Sequence, residues 1–259
     1  MKKKSVGLTL IFSVVSLILM LFGLGWTIQN QFFSEGATGA IEKAKPVEDK
    51  SSKKDGKVVV ALGDSLTRGT GDDTGKGYIG YLIDELEDKS DEKIYVHNYG
   101  VKGYRSNQLL EQLKQGEVRR KIQNADYILI TIGGNDLFQS GQTLDLDEKK
   151  ISQAKEGYLK NLESLIKELR TLNDSAAIFH IGLYNPFIDL NDSALTTKIV
   201  RDWNYDTNAL LDQKERAVYV PTFDLFQLSV NDYLYTDKFH PNAEGYRLIA
   251  ERVASLITW

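Results

Sequence analysis

The sequence predicts an α/β protein in which about five parallel strands form a sheet between two layers of helices. Strand-like runs alternate with helix-like segments over residues 57–259, and this alternation is typical of parallel sheets. Most of the strand-like runs are continuously apolar and rich in Val, Ile and Tyr, as expected for strands covered on both faces. The helical segments carry apolar residues three or four positions apart, which gives each helix one face toward the sheet.

An N-terminal membrane anchor is predicted over residues 1–28. Lysines at positions 2–4 precede a run without charges over 6–28, and a helix of that length spans roughly 34 Å, enough for the bilayer core. The lysines are expected to stay in the cytoplasm, which places the rest of the chain outside. A cleaved signal peptide is the alternative, but its apolar region is usually shorter, and the nearest small-x-small site lies at 37–39.

Residues 29–56 form a predicted polar, flexible stalk, and residues 57–259 form the predicted folded domain. Residues 1–57 hold nine Lys and Arg against five Asp and Glu, whereas the rest of the chain holds 23 against 31. An acidic domain argues against a nucleic acid partner, because phosphate binding needs clustered Lys and Arg. The chain has no cysteine, which excludes disulfides, thiolate catalysis and a lipidated-cysteine anchor.

The strands and helices of the domain follow one another in a regular order. The predicted strands cover 58–62, 94–98, 127–132, 177–183 and 217–220. The longest helical pattern runs over 151–172, and a second pattern closes the chain at 242–257. In folds of this kind the binding site forms at the carboxyl ends of the strands, so residues that directly follow a strand are the first candidates for function.

The first strand ends in Gly63-Asp64-Ser65, and two interpretations fit this stretch. Ser65 either caps the helix that follows or acts as a nucleophile. The glycine-rich segment 69–75 lacks the residues that the dinucleotide and P-loop patterns require, which argues against nucleotide binding. The nucleophile elbow G-x-S-x-G also fails, because Thr67 stands in place of its second glycine.

Two loops farther along offer hydrogen-bond donors for an oxyanion. Gly103 follows the second strand and precedes a predicted helix, so its N–H can point into the site. Gly133-Gly134-Asn135 follows the third strand, where glycines permit a sharp turn and the Asn135 amide can donate. Glycine and asparagine are also ordinary loop residues, so either loop alone carries little weight. Asp64 and Asp136 are predicted to brace their loops by accepting from backbone N–H groups.

The segment before the last helix supplies a candidate general base. Asp237 and His240 lie three residues apart, and imidazole exchanges a proton near neutral pH. A neighbouring carboxylate fixes the tautomer of the ring and stabilises the imidazolium. For this pair alone, a surface histidine with an incidental acidic neighbour is the alternative, and a metal site lacks a third ligand. The other two histidines, His97 and His180, fall in predicted strands and are predicted to be structural.

Together these elements resemble the SGNH subset of the GDSL esterase and lipase family, over roughly residues 57–259. The resemblance implies a three-layer α/β/α fold and ester hydrolysis through an acyl-serine, without a metal or another cofactor. It implies that Ser65 is the nucleophile, His240 the general base and Asp237 the residue that orients the base. It also implies that the oxyanion hole consists of the N–H groups of Ser65 and Gly103 and the side chain of Asn135.

The resemblance leaves the substrate open between two classes of ester. Apolar residues at 137–139, 183–187 and 233–235 suggest an apolar or sugar-stacking pocket wall, although ordinary loop packing explains them equally well. The predicted anchor places the site near the outer leaflet and the wall, so lipid or lysophospholipid esters and O-acyl groups on wall glycans are both candidates. Acyl transfer and a non-catalytic binding domain are further alternatives. Lys238 stands where related motifs often have glycine and is expected to alter the charge of the pocket rim.

Overall fold

Five parallel strands form one sheet in the computed structural model. The structure describes residues 56–138, 147–189 and 193–258, together with positions 16 and 20. The strands are β1 (Lys57–Gly63), β2 (Ile94–Gly100), β3 (Tyr127–Thr131), β4 (Ala177–Ile181) and β5 (Ala217–Val220). Their order across the sheet is β2-β1-β3-β4-β5, and every neighbouring pair is parallel. The predicted five-stranded α/β architecture is therefore confirmed.

Helices cover both faces of this sheet. In the described part of the chain they are α1 (Ser65–Arg68), α2 (Gly77–Glu87), α3 (Ser106–Gln112), α4 (Gly116–Gln123), α5 (Gly134–Phe138), α6 (Glu148–Leu172), α7 (Ser193–Leu211), α8 (Phe223–Phe226), α9 (Val230–Tyr233) and α10 (Ala243–Ala254). The helices α2 and α10 pack on one face, and α3, α4, α6 and α7 pack on the other. The result is the three-layer arrangement that the sequence predicts.

The central strands are apolar throughout because both of their faces are buried. In β1, Val59 packs into the core beneath α2 and α10, whereas Val60 packs into the core on the opposite face. Burying one such side chain contributes about 1.5–3 kcal/mol relative to leaving it exposed. The strand β2 lies at the edge of the sheet, where Tyr95 is 47% exposed, and its sequence is correspondingly less apolar.

Two elements end two or more residues earlier than predicted. The fourth strand ends at Ile181 and not at residue 183, because the backbone N–H and carbonyl of Leu183 bond the side chain of Asn204. The last helix ends at Ala254 and not at residue 257, because the N–H of Leu256 turns back to the carbonyl of Val253. A tightened last turn of this kind is common at helix ends.

The predicted membrane anchor (residues 1–28) and stalk (residues 29–56) lie outside the described residues, apart from positions 16, 20 and 56. Among the residues that are described, no helix has both the length and the apolar character needed to cross a bilayer. The described residues from 56 onward fall in one compact unit, Lys53–Trp259.

The sheet topology brings three loops together at one edge. Gly63, at the end of β1, is in register with Gly100 of β2 and Thr131 of β3. The loops that follow these three strands therefore start side by side. The strand order reverses between β1 and β3, and α/β proteins bind their ligands in the crevice at such a point.

Candidate active site

Three side chains form a hydrogen-bonded chain at this edge of the sheet. Nε2 of His240 lies 2.8 Å from Oγ of Ser65, and Nδ1 of His240 lies 2.6 Å from Oδ2 of Asp237. Ser65 and His240 are 175 positions apart in the sequence, yet both are buried at the same site. The structure thus brings together the three residues that the sequence predicts as nucleophile, base and orienting carboxylate.

The carboxylate of Asp237 determines which imidazole nitrogen carries the proton. Desolvation acts to raise the pKa of Asp237, but hydrogen bonds from the ring and backbone of His240 and from the N–H of Phe239 outweigh it and lower the pKa. An ionised carboxylate only accepts hydrogen bonds, so the proton of the neutral ring lies on Nδ1. Nε2 is then free to accept from the Ser65 hydroxyl, as a general base requires.

Ser65 is the first residue of α1, and the residue before it caps this helix. The Asp64 carboxylate accepts from the N–H of Leu66 at 3.0 Å. The Ser65 hydroxyl bonds the His240 ring instead. The interpretation of Ser65 as a helix cap is therefore wrong, and Asp64 has that role.

Asn135 lines the same cavity as Ser65. Its Nδ2 donates one hydrogen to the carbonyl of Tyr104 at 2.8 Å, which orients the amide and leaves the second hydrogen for a ligand. The backbone N–H of Ser65 has no acceptor among the described residues. The structure therefore places two of the three predicted oxyanion donors at one cavity.

Gly103 lies in the loop between β2 and α3, next to the carbonyl that holds Asn135. Its φ of 82° is in the left-handed region that favours glycine, and a Cβ added there would meet no atom within 4 Å. Gly103 is not among the residues that line the cavity beside Ser65. Its connection to the site runs through the hydrogen bond from Asn135 to Tyr104, so its role as an oxyanion donor stays a prediction.

The turn that carries His240 is closed by backbone hydrogen bonds. The N–H of Tyr235 donates to the carbonyl of His240 at 2.8 Å, and the N–H of Asn242 donates to the carbonyl of Tyr233 at 2.9 Å. Within this turn Lys238 has a φ of 58°, which explains why glycine is frequent at this place in related motifs. The Lys238 side chain is exposed.

A comparison with known protein families shows which family has this arrangement of residues. Residues 61–248 match the model of the GDSL-like Lipase/Acylhydrolase family, and the match includes all the residues of the hydrogen-bonded chain. The chain belongs to the GDSL-like lipase/acylhydrolase family.

Individual relatives of this GDSL-family chain include proteins named as lipases. It is 38% identical over 253 residues to the uncharacterized protein YpmR of Bacillus subtilis (strain 168), with 95% of each chain covered. It is 28% identical over 205 residues to the spore germination lipase LipC of Bacillus licheniformis, which covers 74% of this chain and 92% of LipC. The solved structure of the lipase Lip_vut3 from a goat rumen metagenome superposes with a TM-score of 0.70 at 25% identity, covering 77% of this chain and 96% of that one. The GDSL-family chain is thus an ester hydrolase with lipase relatives.

Two carboxyl groups, one buried and one half-buried, brace the loops of the GDSL-family site, as predicted. Besides capping α1, Asp64 accepts from the hydroxyl of Thr131 at 2.9 Å, which ties the nucleophile loop to β3. Burial raises the pKa of Asp64 to about 7, against the lowering effect of its hydrogen bonds. Asp136 accepts from the N–H of Ser106 at 3.0 Å and from its hydroxyl at 2.5 Å, which ties α5 to the start of α3.

Asp64→Asn is expected to flatten the pH dependence of stability. The pKa of this carboxyl is about 7 in the folded protein and about 3.9 in an unfolded chain, so the folded state binds more protons between these values. The free energy of unfolding therefore falls as pH rises from about 4 to about 7, by up to about 4 kcal/mol. Asn keeps the acceptor oxygen and does not titrate.

Thermal melting of the wild type and the Asp64→Asn variant at about pH 5 and about pH 8 tests this linkage. The Tm of the wild type is expected to drop more than that of the variant on going to the higher pH. Parallel shifts in the two proteins would show that Asp64 does not titrate in this range.

Gly71 is a position of the GDSL-family site that motif analysis missed. A Cβ added to it would lie 2.5 Å from the carbonyl oxygen of Pro241 and 2.9 Å from Cβ of His240. The glycine-rich loop therefore packs directly against the backbone of His240 and Pro241. The sequence held one signal for this contact, the surplus of glycines over 69–75 that no phosphate-binding pattern explains.

Gly71→Ala is expected to lower kcat by about tenfold or more, because the added methyl group displaces His240, and small misplacements of catalytic groups cost up to about 10²-fold. Gly75→Ala is the matched control. Gly75 lies in the same loop and also has a positive φ, which is 74° compared with 100° at Gly71. A Cβ added to Gly75 would meet no atom within 4 Å. The measurement is kcat on an acetyl ester. Equal values for the two variants would show that Gly71 does not determine the position of His240.

The two remaining histidines lie in strands, as predicted. His180 on β4 is buried, its Nε2 lies 3.1 Å from the hydroxyl of Tyr158, and desolvation lowers its pKa to about 4. His97 on β2 is half-buried. Over the described ranges, no group of three or more His, Asp or Glu side chains is arranged to hold a metal ion.

Two of the three predicted pocket walls lie at the cavity beside Ser65. Segment 137–139 contributes Phe138, and segment 183–187 contributes several apolar side chains. Segment 233–235 does not line the cavity. Its backbone instead supports the turn that carries His240.

Proposed function

We propose that the protein is an extracytoplasmic serine ester hydrolase that works through an acyl-Ser65 intermediate. The observation that carries this proposal is the chain from Ser65 through His240 to Asp237, with heavy-atom distances of 2.8 Å and 2.6 Å. Both distances lie within the range for hydrogen bonds, and the three groups have the roles of nucleophile, base and orienting carboxylate.

The proposed reaction transfers two protons, one in each half, through Nε2 of His240. Nε2 of His240 takes the hydroxyl proton while Oγ of Ser65 bonds to the ester carbonyl carbon. The protonated ring then gives this proton to the leaving alcohol oxygen as the carbon–oxygen ester bond breaks. A water molecule, deprotonated by the same nitrogen, then attacks the acyl carbon. The bond from this carbon to Oγ breaks, Oγ takes the proton back from Nε2, and the carboxylic acid leaves.

Negative charge forms on the carbonyl oxygen in both halves of this reaction. We assign its stabilisation to the N–H of Ser65 and the free Nδ2 hydrogen of Asn135, with the N–H of Gly103 as the third donor. The lowered pKa of Asp237 keeps this carboxylate ionised, so it can stabilise the imidazolium that forms at the same time.

The extracytoplasmic location rests on the lysines at positions 2–4 and the apolar run at 6–28. Two ester classes suit that location. Lipid or lysophospholipid esters are supported by the similarity to proteins named as lipases. O-acyl groups on wall glycans are the second class, and the size of the cavity beside Ser65 bears on this choice.

A fluorophosphonate probe tests the proposed nucleophile. The wild type is expected to form a covalent adduct on Ser65, and Ser65→Ala is expected to form none. Ser164→Ala is the control, because Ser164 is an exposed serine on α6 that bonds only the carbonyl of Lys160. A wild type that forms no adduct would instead be a non-catalytic binding domain.

The location has its own test. A protease added to intact cells is expected to remove the domain from full-length protein, while a cytoplasmic marker protein stays whole. Protection of the domain until the cells are lysed would place it on the cytoplasmic side.

A further inference from the structure

A cavity adjoins the proposed nucleophile, and the steps above use only its oxyanion donors. Its lining comes from the ends of β1, β3 and β4, from Ser65 and Asn135, and from Phe138 and Phe239. His240 does not line it. Because His240 must deliver its proton to the leaving alcohol, the alcohol lies on the His240 side and the cavity faces the acyl side of the ester.

The cavity is small. Its volume is about 30 Å³, and on the same measure one water molecule needs about 10–15 Å³. It therefore has room for about two or three heavy atoms. That space suits the methyl group of an acetyl ester and is too small to enclose a fatty acyl chain.

Two phenylalanine rings, those of Phe138 and Phe239, line the cavity, and the ring of Phe187 packs against both of them. The centroids of Phe138 and Phe187 are 5.2 Å apart, those of Phe138 and Phe239 are 6.0 Å apart, and those of Phe187 and Phe239 are 6.1 Å apart. The rings come from the end of α5, from the loop after β4 and from the residue before His240. Each ring contacts the other two at distances typical of aromatic packing, so a longer acyl chain has to separate them in order to enter.

We propose that this cavity is the acyl site of the enzyme, that it takes acetyl or a similarly short acyl group, and that the cluster of Phe138, Phe187 and Phe239 sets the limit. The proposal rests on the serine esterase function proposed above. Of the two ester classes, it selects short O-acyl esters such as the O-acetyl groups of glycans over fatty acyl esters.

The test is an acyl-chain profile of the full-length protein on p-nitrophenyl acetate, butyrate, octanoate and palmitate. For the wild type, kcat/KM is expected to fall by about tenfold or more from acetate to octanoate, since pockets of fixed size discriminate by about this factor or more. Phe187→Ala removes the ring that backs the other two and is expected to raise the ratio of octanoate to acetate hydrolysis by about tenfold.

Phe223→Ala is the matched control, because this half-buried ring packs under the guanidinium of Arg201, 4.8 Å from its centroid, and not against the cavity. It is expected to leave the ratio unchanged. Phe187→Leu and Phe138→Leu are the substitutes if Phe187→Ala does not fold, as judged by its thermal melting curve. Both leucine variants are expected to raise the same ratio.

The outcomes separate the two proposals. A wild type that hydrolyses octanoate as fast as acetate, or a ratio that is equal in the Phe187 and Phe223 variants, overturns the short-acyl site while the esterase function stands. A wild type that hydrolyses no ester and forms no fluorophosphonate adduct contradicts the esterase function itself.

Discussion

Ser65→Ala and His240→Ala are each expected to lower kcat by about 10⁴–10⁶, and the double variant is expected to lose no more than the single ones. The reason is that the two groups act in one step, in which Nε2 of His240 takes the proton of the Ser65 hydroxyl across 2.8 Å. Removing either group stops this transfer, so nothing remains for the second substitution to remove. The residual rate comes from the oxyanion donors and from substrate binding.

The measurement is kcat on p-nitrophenyl acetate for the wild type, the two single variants and the double variant. His97→Ala and Ser164→Ala are the controls of the same residue types, since both side chains lie outside the hydrogen-bonded chain. They are expected to stay within about threefold of the wild type, as surface substitutions usually do. Losses that multiply in the double variant would show that Ser65 and His240 act independently.

The residues that meet at the proposed active site could be selected from the sequence because their positions follow local rules. Ser65, Gly103 and Asn135 each come shortly after a strand, and in a parallel sheet such positions gather at one edge. Asp237 and His240 are three residues apart on a tight turn, so their contact depends only on the local backbone. A buried strand and a helix start are both visible as short patterns of residue types.

The residues that surround the catalytic groups could not be predicted, because their contacts join distant segments. The close approach of Gly71 to His240 and the packing of Phe138, Phe187 and Phe239 leave no periodic pattern in the sequence. The same limit applies to strand β4, which ends early because of a side-chain contact with a helix 21 residues away in the sequence.

The assignment of the cap shows how local rules can also mislead. Serine and aspartate are both good helix caps, and only the three-dimensional arrangement shows that Asp64 bonds Leu66 while Ser65 bonds His240. The raised pKa of Asp64 likewise arises from burial. The residue type alone does not reveal whether an aspartate is buried.

Asn135→Ala is expected to lower kcat by about 10²–10³ with a much smaller change in KM, because an oxyanion donor acts mainly when negative charge has formed on the substrate. The hydrogen bond from Nδ2 to the carbonyl of Tyr104, 2.8 Å long, holds the amide in place before substrate arrives. Asn135→Asp keeps the shape of the side chain but removes its N–H donors, so it is expected to lose at least as much activity. Because Asn135→Asp also loses the hydrogen bond to the carbonyl of Tyr104, the Tm of both variants is measured beside kcat.

Asn173→Ala separates this effect from a general loss of stability. Asn173 is also a buried asparagine whose Nδ2 donates to backbone carbonyls, those of Ile122 and Ala125, at 2.8 Å and 2.9 Å. It precedes β4 and so lies at the opposite edge of the sheet from Ser65. Its replacement is expected to lower Tm and leave kcat per fluorophosphonate-reactive site unchanged. A loss of less than about threefold for Asn135→Ala on the same scale would show that its amide does not stabilise the oxyanion, since losing one such donor costs about 10²–10³.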